Sequence, residues 1–119
     1  MPTTREVAED LVALGRDGKI DDAGHKYWSD DVVSLEAMDG PMARVEGKAA
    51  VIAKGEWWYA NHEVHAMGVD GPYVNGDQFA VVYHMDVTPK DGERTQMDEI
   101  GLYTVKDGRI AEGKFFYAM

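Results

Sequence analysis

From Asn61 onward the chain alternates apolar and polar residues with a period of two, and the turn doublets and triplets Asp70-Gly71-Pro72, Asn75-Gly76, Asp91-Gly92 and Asp107-Gly108 interrupt it. Period two sends successive side chains to opposite faces of a sheet. Glycine beside Asn or Asp supplies the positive φ that tight strand connections need. This region therefore predicts four strands with a short extra one. Its tightest hairpin is Asp107-Gly108, between Tyr103-Thr104-Val105 and Arg109-Ile110-Ala111. A sheet of this kind has two faces to cover, and the inward one can line a pocket.

The first half has the other period. Thr3 or Thr4 can cap a helix in which Val7, Leu11 and Leu14 share one face before Gly15 and Gly18 stop the pattern. A second helix is predicted from Ile20 to Trp28, with Asp21 and Asp22 near its positive end. Val32 to Glu36 is β-like, Met38 to Arg44 is a loop, and Glu46 to about Tyr59 reads as a third helix interrupted in composition by Gly55. Three helices followed by a mostly antiparallel sheet make an α+β domain with helices on one sheet face.

A chain of 119 residues with 45% hydrophobic content supports one domain, residues 1–119, with one modest core. Twelve basic residues against 22 acidic ones give a net charge of -10, which repels nucleic acid and anionic lipid surfaces. No apolar run reaches the roughly 18 residues of a membrane span, and the start leads into an amphipathic pattern. A cytoplasmic protein is expected. Without cysteine, disulfides, thiol catalysis and zinc–thiolate sites are excluded.

This order of elements resembles the nuclear transport factor 2-like superfamily, particularly its SnoaL-like branch, which includes ketosteroid isomerases, polyketide cyclases and limonene epoxide hydrolases. The resemblance is carried by Tyr27-Trp28-Ser29-Asp30-Asp31-Val32, Glu46-Gly47-Lys48-Ala49-Ala50 and Val105-Lys106-Asp107-Gly108-Arg109-Ile110, in that order. It implies a cone-shaped fold, three helices on the concave face of a curved sheet, a deep and mostly apolar pocket between them, and assembly as a dimer.

Strand parity puts Phe79, Val81, Tyr83, Met85 and Val87 on one face, with Met97, Glu99, Gly101 and Tyr103, and then Ala111, Gly113, Phe115 and Tyr117, in matching rows. By resemblance these rows face the pocket. The opposite rows carry Val82, His84 and Asp86, then Asp98, Ile100 and Leu102, then Ile110, Glu112, Lys114 and Phe116. An outer face bearing Ile100, Leu102 and Phe116 points to a homodimer through the sheet; scattered apolar residues on a monomer are the alternative.

Glu36 and Glu99 are the candidate catalytic residues. If both reach one apolar cavity, desolvation and mutual repulsion raise at least one pKa toward the range of general acid–base work. Otherwise Glu36 sits at the rim in water, or Glu99 accepts hydrogen bonds from Tyr83, Tyr103 or an indole. Glu36 falls where the isomerase motif has its proton-abstracting aspartate. The isomerase oxyanion donors, however, align with Leu11 and Gly101, which have no side-chain hydrogen bond to give. The epoxide hydrolase Asp-Arg-Asp set aligns with Tyr83, Met85 and Phe115. Where the cyclase pattern ends on an acid, this chain has Phe116-Tyr117-Ala118-Met119. All three known reactions are therefore disfavoured.

His62-Glu63-Val64-His65 lacks the spacing of a metal motif, because residues three apart on a strand face opposite sides. No metal and no cofactor are expected. His84 and Asp86 share an outward face and could pair there. Trp57-Trp58-Tyr59 reads as mostly core, with Trp58 matching an aromatic wall position of the isomerases. The sequence thus predicts a pocket for an apolar small molecule, walled by Trp58, Tyr83, Met85, Met97, Tyr103, Phe115 and Tyr117. Its reading as an enzyme is a cofactor-free proton transfer of isomerase, cyclase or dehydratase type through Glu36 and Glu99. The alternative is a non-catalytic ligand-binding or dimerisation module.

Overall fold

Thr3 caps the first helix, α1 (Thr4–Arg16): its hydroxyl accepts from the Glu6 amide while the Glu6 carboxylate accepts from the Thr3 amide, satisfying two otherwise orphaned donors. The computed structural model describes residues 1–118 of the chain; Met119 lies outside them. Val7, Ala8, Leu11 and Val12 of α1 are buried, and the helix packs on two long strands, β3 (His62–Asn75) and β4 (Gln78–Pro89). A short helix, α2 (Ile20–Tyr27), leads directly into β1 (Trp28–Leu35). The strand β2 (Arg44–Glu46) precedes α3 (Lys48–Ala60), and β5 (Thr95–Lys106) and β6 (Arg109–Phe116) complete the chain.

The six strands form one sheet in the order β2-β1-β6-β5-β4-β3. All pairings are antiparallel except β1 with β6, where Ser34 lies beside Gly113 and Leu35 beside Lys114. Both strands of this pair therefore leave the sheet at the same end. The helices cover the concave face, and the α+β architecture expected from the sequence is the one observed. Phe79, Val81, Tyr83, Met85 and Val87 are all buried, joined by Tyr103 and Val105 of β5. The hairpin at Asp107-Gly108 has positive φ at both residues, 52° and 73°.

Several boundaries differ from the sequence reading, each for a local reason. Asp70-Gly71-Pro72 does not end a strand: pairing slips between Asp70 and Tyr73 and resumes at Tyr73 with Ala80, an irregularity that absorbs the proline's missing N–H. Asn75 pairs with Gln78, so the turn is Gly76-Asp77, one residue later than expected. Glu46 belongs to β2, and α3 begins at Lys48 after Gly47, whose φ of 93° suits glycine. Gly55 leaves α3 unbroken. Trp28 opens β1 instead of closing α2. Ile110, expected outside, is fully buried. The register shifts between Thr104 and Val105, which face Glu112 and Ile110 respectively, so Ala111 is an extra residue that turns Ile110 and Gly113 to the same face.

The outer face carries His84, but its partners are Asp98 and Asp70, each 2.8 Å away. Asp86 instead takes both hydrogen bonds of a fork from Arg94, at 2.9 and 2.7 Å. Partners on the neighbouring strands and on the loop before β5 thus win over the expected same-strand pair. Ile100 and Phe116 face each other on this surface and are 45% and 47% exposed. Among the described residues no helix is long and apolar enough to cross a membrane.

Candidate functional site

Between α2, α3 and the concave sheet face lies a cavity of about 500 Å³. All nine residues singled out from the sequence line it: Glu36 and Glu99, with Trp58, Tyr83, Met85, Met97, Tyr103, Phe115 and Tyr117. The sheet leaves room for them by using glycine in its inward rows. A Cβ on Gly101 would stand 2.9 Å from the Tyr103 hydroxyl, and one on Gly113 would stand 3.4 Å from the Phe115 ring. Gly24 does the same for a helix, since a Cβ there would meet the Trp28 indole nitrogen at 2.5 Å.

Glu36 follows Val32 and Ser34, both buried, on the inward parity of β1. It is not in water at the rim. Lys54, from α3, forms an ion pair with one carboxylate oxygen, and the Tyr117 hydroxyl donates to the other at 2.9 Å. The two charged side chains are only 14% and 17% exposed. The Lys54 ammonium also donates to the buried Ser34 hydroxyl at 2.9 Å and lies 5.7 Å from the Phe115 ring centroid. Burial, with Glu36 accepting its hydrogen bond, pushes the Tyr117 hydroxyl up to about 12.

Glu99 is different. It occupies the inward row of β5 opposite Tyr83, partly buried. Among the described residues no side chain donates a hydrogen bond to its carboxylate. Tyr83 and Tyr103, the donors considered for it, bond to each other at 2.6 Å. Burial raises the Glu99 pKa from its ordinary 4.5 to about 7, the nearby negative charge of Glu36 adds to the rise, and Lys54 opposes it. The result is a carboxyl group that exchanges its proton near neutral pH.

The tyrosine pair has two hydroxyl protons and one mutual hydrogen bond, so one O–H remains free to donate to a cavity occupant. Burial pushes both hydroxyls above their usual range, which keeps them protonated. Trp58 stacks on His62 with ring centroids 4.2 Å apart, and the His62 Nδ1 lies 2.8 Å from the Trp58 carbonyl oxygen. His65 bonds Thr88 instead.

Among the cavity residues that sequence reasoning did not single out, three matter most. Lys54 drew no notice in the sequence, yet it shares a helix face with Val51 and Trp58, at i−3 and i+4, and both line the cavity. Trp28 was assigned to a helix end. Trp57 was read as core but is 55% exposed while still lining the cavity. All three tryptophans of the chain consequently border one space.

A family model described as the SnoaL-like domain matches residues 2–117. The chain belongs to the SnoaL-like family. A solved structure from Mesorhizobium loti, provisionally described as a SnoaL-like polyketide cyclase and, in brackets, a carbohydrate phosphatase, is 54% identical; the match covers 98% of this chain and 100% of that one, with a TM-score of 0.95. A Jannaschia sp. CCS1 protein, provisionally described as a SnoaL-like polyketide cyclase, shares the fold at 19% identity, a TM-score of 0.75 and coverage of 96% and 84%. So does a Catenulispora acidiphila protein with a ketosteroid isomerase-like fold, solved with trimethylamine, at 17% identity, a TM-score of 0.76 and coverage of 98% and 88%. Among curated proteins, none matches the chain. The fold is thus one shared by ligand-binding and isomerase- or cyclase-type domains.

Proposed function

We propose that this SnoaL-like domain binds a mostly apolar small molecule in its cavity and moves a proton on it through Glu99. The observation that supports this most is the setting of Glu99: an unpartnered carboxyl group in an aromatic cavity, with a pKa near 7. A base of that pKa is ionised in useful amounts at neutral pH and still strong enough to take a proton from a carbon acid. The free O–H of the Tyr83–Tyr103 pair is the group to receive developing negative charge on an oxygen. Glu36, neutralised by Lys54, is then a positioning and electrostatic residue and not a second base. Isomerisation, cyclisation and dehydration all fit this set, and none of them requires a cofactor.

The test is hydrogen–deuterium exchange at the α-carbon of an apolar probe ketone, 2-tetralone, followed by NMR in D2O. The wild-type protein is expected to accelerate exchange, with a rate that rises through about pH 7, and Glu99→Gln is expected to lower it by about 10²-fold or more. Glu36→Gln should lower it less. Exchange no faster than in buffer, with the probe bound, would favour a non-catalytic ligand-binding module.

The exposed, facing pair Ile100 and Phe116 supports a homodimer through the outer sheet face. Light scattering should give twice the chain mass, falling to one mass in Phe116→Asp. A wild-type monomer would dismiss this interface.

A further inference from the structure

The charges that line the cavity do not balance. Asp21, Glu36 and Glu99 contribute carboxylates, and Lys54 is the one lysine or arginine among the described lining residues. Lys54 is already engaged by Glu36, Ser34 and the Phe115 ring, so its charge is neutralised at one side of the space. Among the described residues no cation forms an ion pair with Glu99, which feels Lys54 only at a distance. The walls of the cavity are aromatic, with Trp28, Trp57, Trp58 and Tyr59 on the helical side and at the start of β1. Aromatic faces are negative in their quadrupole and attract a cation, most strongly when water is excluded. A neutral occupant can pack on these faces but leaves the excess charge unanswered, and an anionic one is repelled by it.

We infer that the cavity selects an organic cation, an apolar molecule bearing an ammonium, quaternary ammonium or iminium group, held between the tryptophan wall and the Glu99 carboxylate. This rests on the cavity being a ligand site, and not on proton transfer occurring there. The two roles are nevertheless compatible, because positive charge beside a carbon acidifies its C–H bonds. A cation also shifts Glu99 toward its ionised form, so binding releases a proton. The other groups facing Glu99 are Lys54 and Tyr59 from α3, Tyr83 from β4, Tyr103 from β5, Tyr117 after β6 and Glu36 after β1. Tyr59 and Tyr117 are pushed up to about 12, and the Tyr83–Tyr103 pair higher still, so no tyrosine titrates between pH 5.5 and 8 (~two units around neutrality). Asp21 and His25 of α2 and His62 of β3 also line the cavity.

The three cavity tryptophans are the natural reporter. Benzyltrimethylammonium, its neutral carbon isostere neopentylbenzene and the anion phenylacetate are titrated against the protein by tryptophan fluorescence. The cation is expected to bind about tenfold tighter than the neutral isostere, with phenylacetate weakest. Glu99→Gln should erase that advantage and leave the isostere's affinity within about twofold. Equal binding of cation and isostere, or tightest binding of the anion, overturns the inference while leaving the cavity a ligand site. No response to any of the three overturns both. Should Glu99→Gln fail to fold by circular dichroism, the wild-type protein decides. Affinity for the cation, whose own charge is fixed, must fall about tenfold from pH 8 to pH 5.5 while that for the isostere stays flat; two flat profiles overturn the inference.

Discussion

Glu36 and Glu99 bring the same side chain to the same cavity and become different groups there. Glu36 stands where α3, β1 and the residues after β6 converge, and each sends it or its partner a polar group: Lys54, Ser34 and Tyr117. Glu99 stands at the middle of a strand, opposite a tyrosine already bonded elsewhere, and the inward phenylalanine of the next strand, Phe115, lies beside Gly101, two residues along. Desolvation acts on both, but only at Glu36 is it answered by a cation and a donor. The lesson is that a sheet's inward row can desolvate a carboxyl group without satisfying it, because its backbone partners are committed to the ladder. Satisfying one takes a helix or a chain end reaching in.

The sharpest way to break this contrast is to remove the cation. Lys54→Met leaves the Glu36 charge with only Tyr117, and urea unfolding at pH 7 is expected to show a loss of about 3 kcal/mol. A loss below about 1 kcal/mol would mean that the pair is solvated in solution. Next in size is Glu99→Gln. Its folded-state pKa, about 7, lies above its ordinary 4.5, so the native state binds the proton more tightly than the unfolded chain does. The wild-type's relative stability is therefore full below about pH 4.5 and is lost as pH rises through about 7. The glutamine variant should be more stable than wild type by about 3 kcal/mol at pH 8 and no more stable at pH 4. A pH-independent difference would sink the assignment. Smallest is Tyr117→Phe, which deletes one charge-assisted hydrogen bond and should destabilise by about 1 to 1.5 kcal/mol, with no change in Glu99's titration by NMR.

Much of this site could be read from the residues because it is built on strands. The rows from Phe79 to Val87 and from Met97 to Tyr103 follow a strict two-residue period, and the structure keeps that parity unbroken. Parity failed where backbone geometry intervened. A bulge at Ala111 turned Ile110 inward, and the irregularity at Gly71-Pro72 let β3 continue through what reads as a turn. Ser29-Asp30-Asp31 reads as a helix stop, but these residues already lie in β1, which is how Trp28 escaped notice. Lys54 was hidden for another reason. A lysine on a helix is solvated unless something buried is waiting for it, and that something, Glu36, comes from a different element.

The parallel pairing of β1 with β6 has a temporal corollary. Glu36 is synthesised 81 residues before Tyr117, yet the two meet because both strands exit the sheet side by side. On the ribosome, then, a carboxylate committed early must wait for almost the whole domain before its last donor emerges, and any chain interrupted before Tyr117 would carry a cavity with its acid incompletely held.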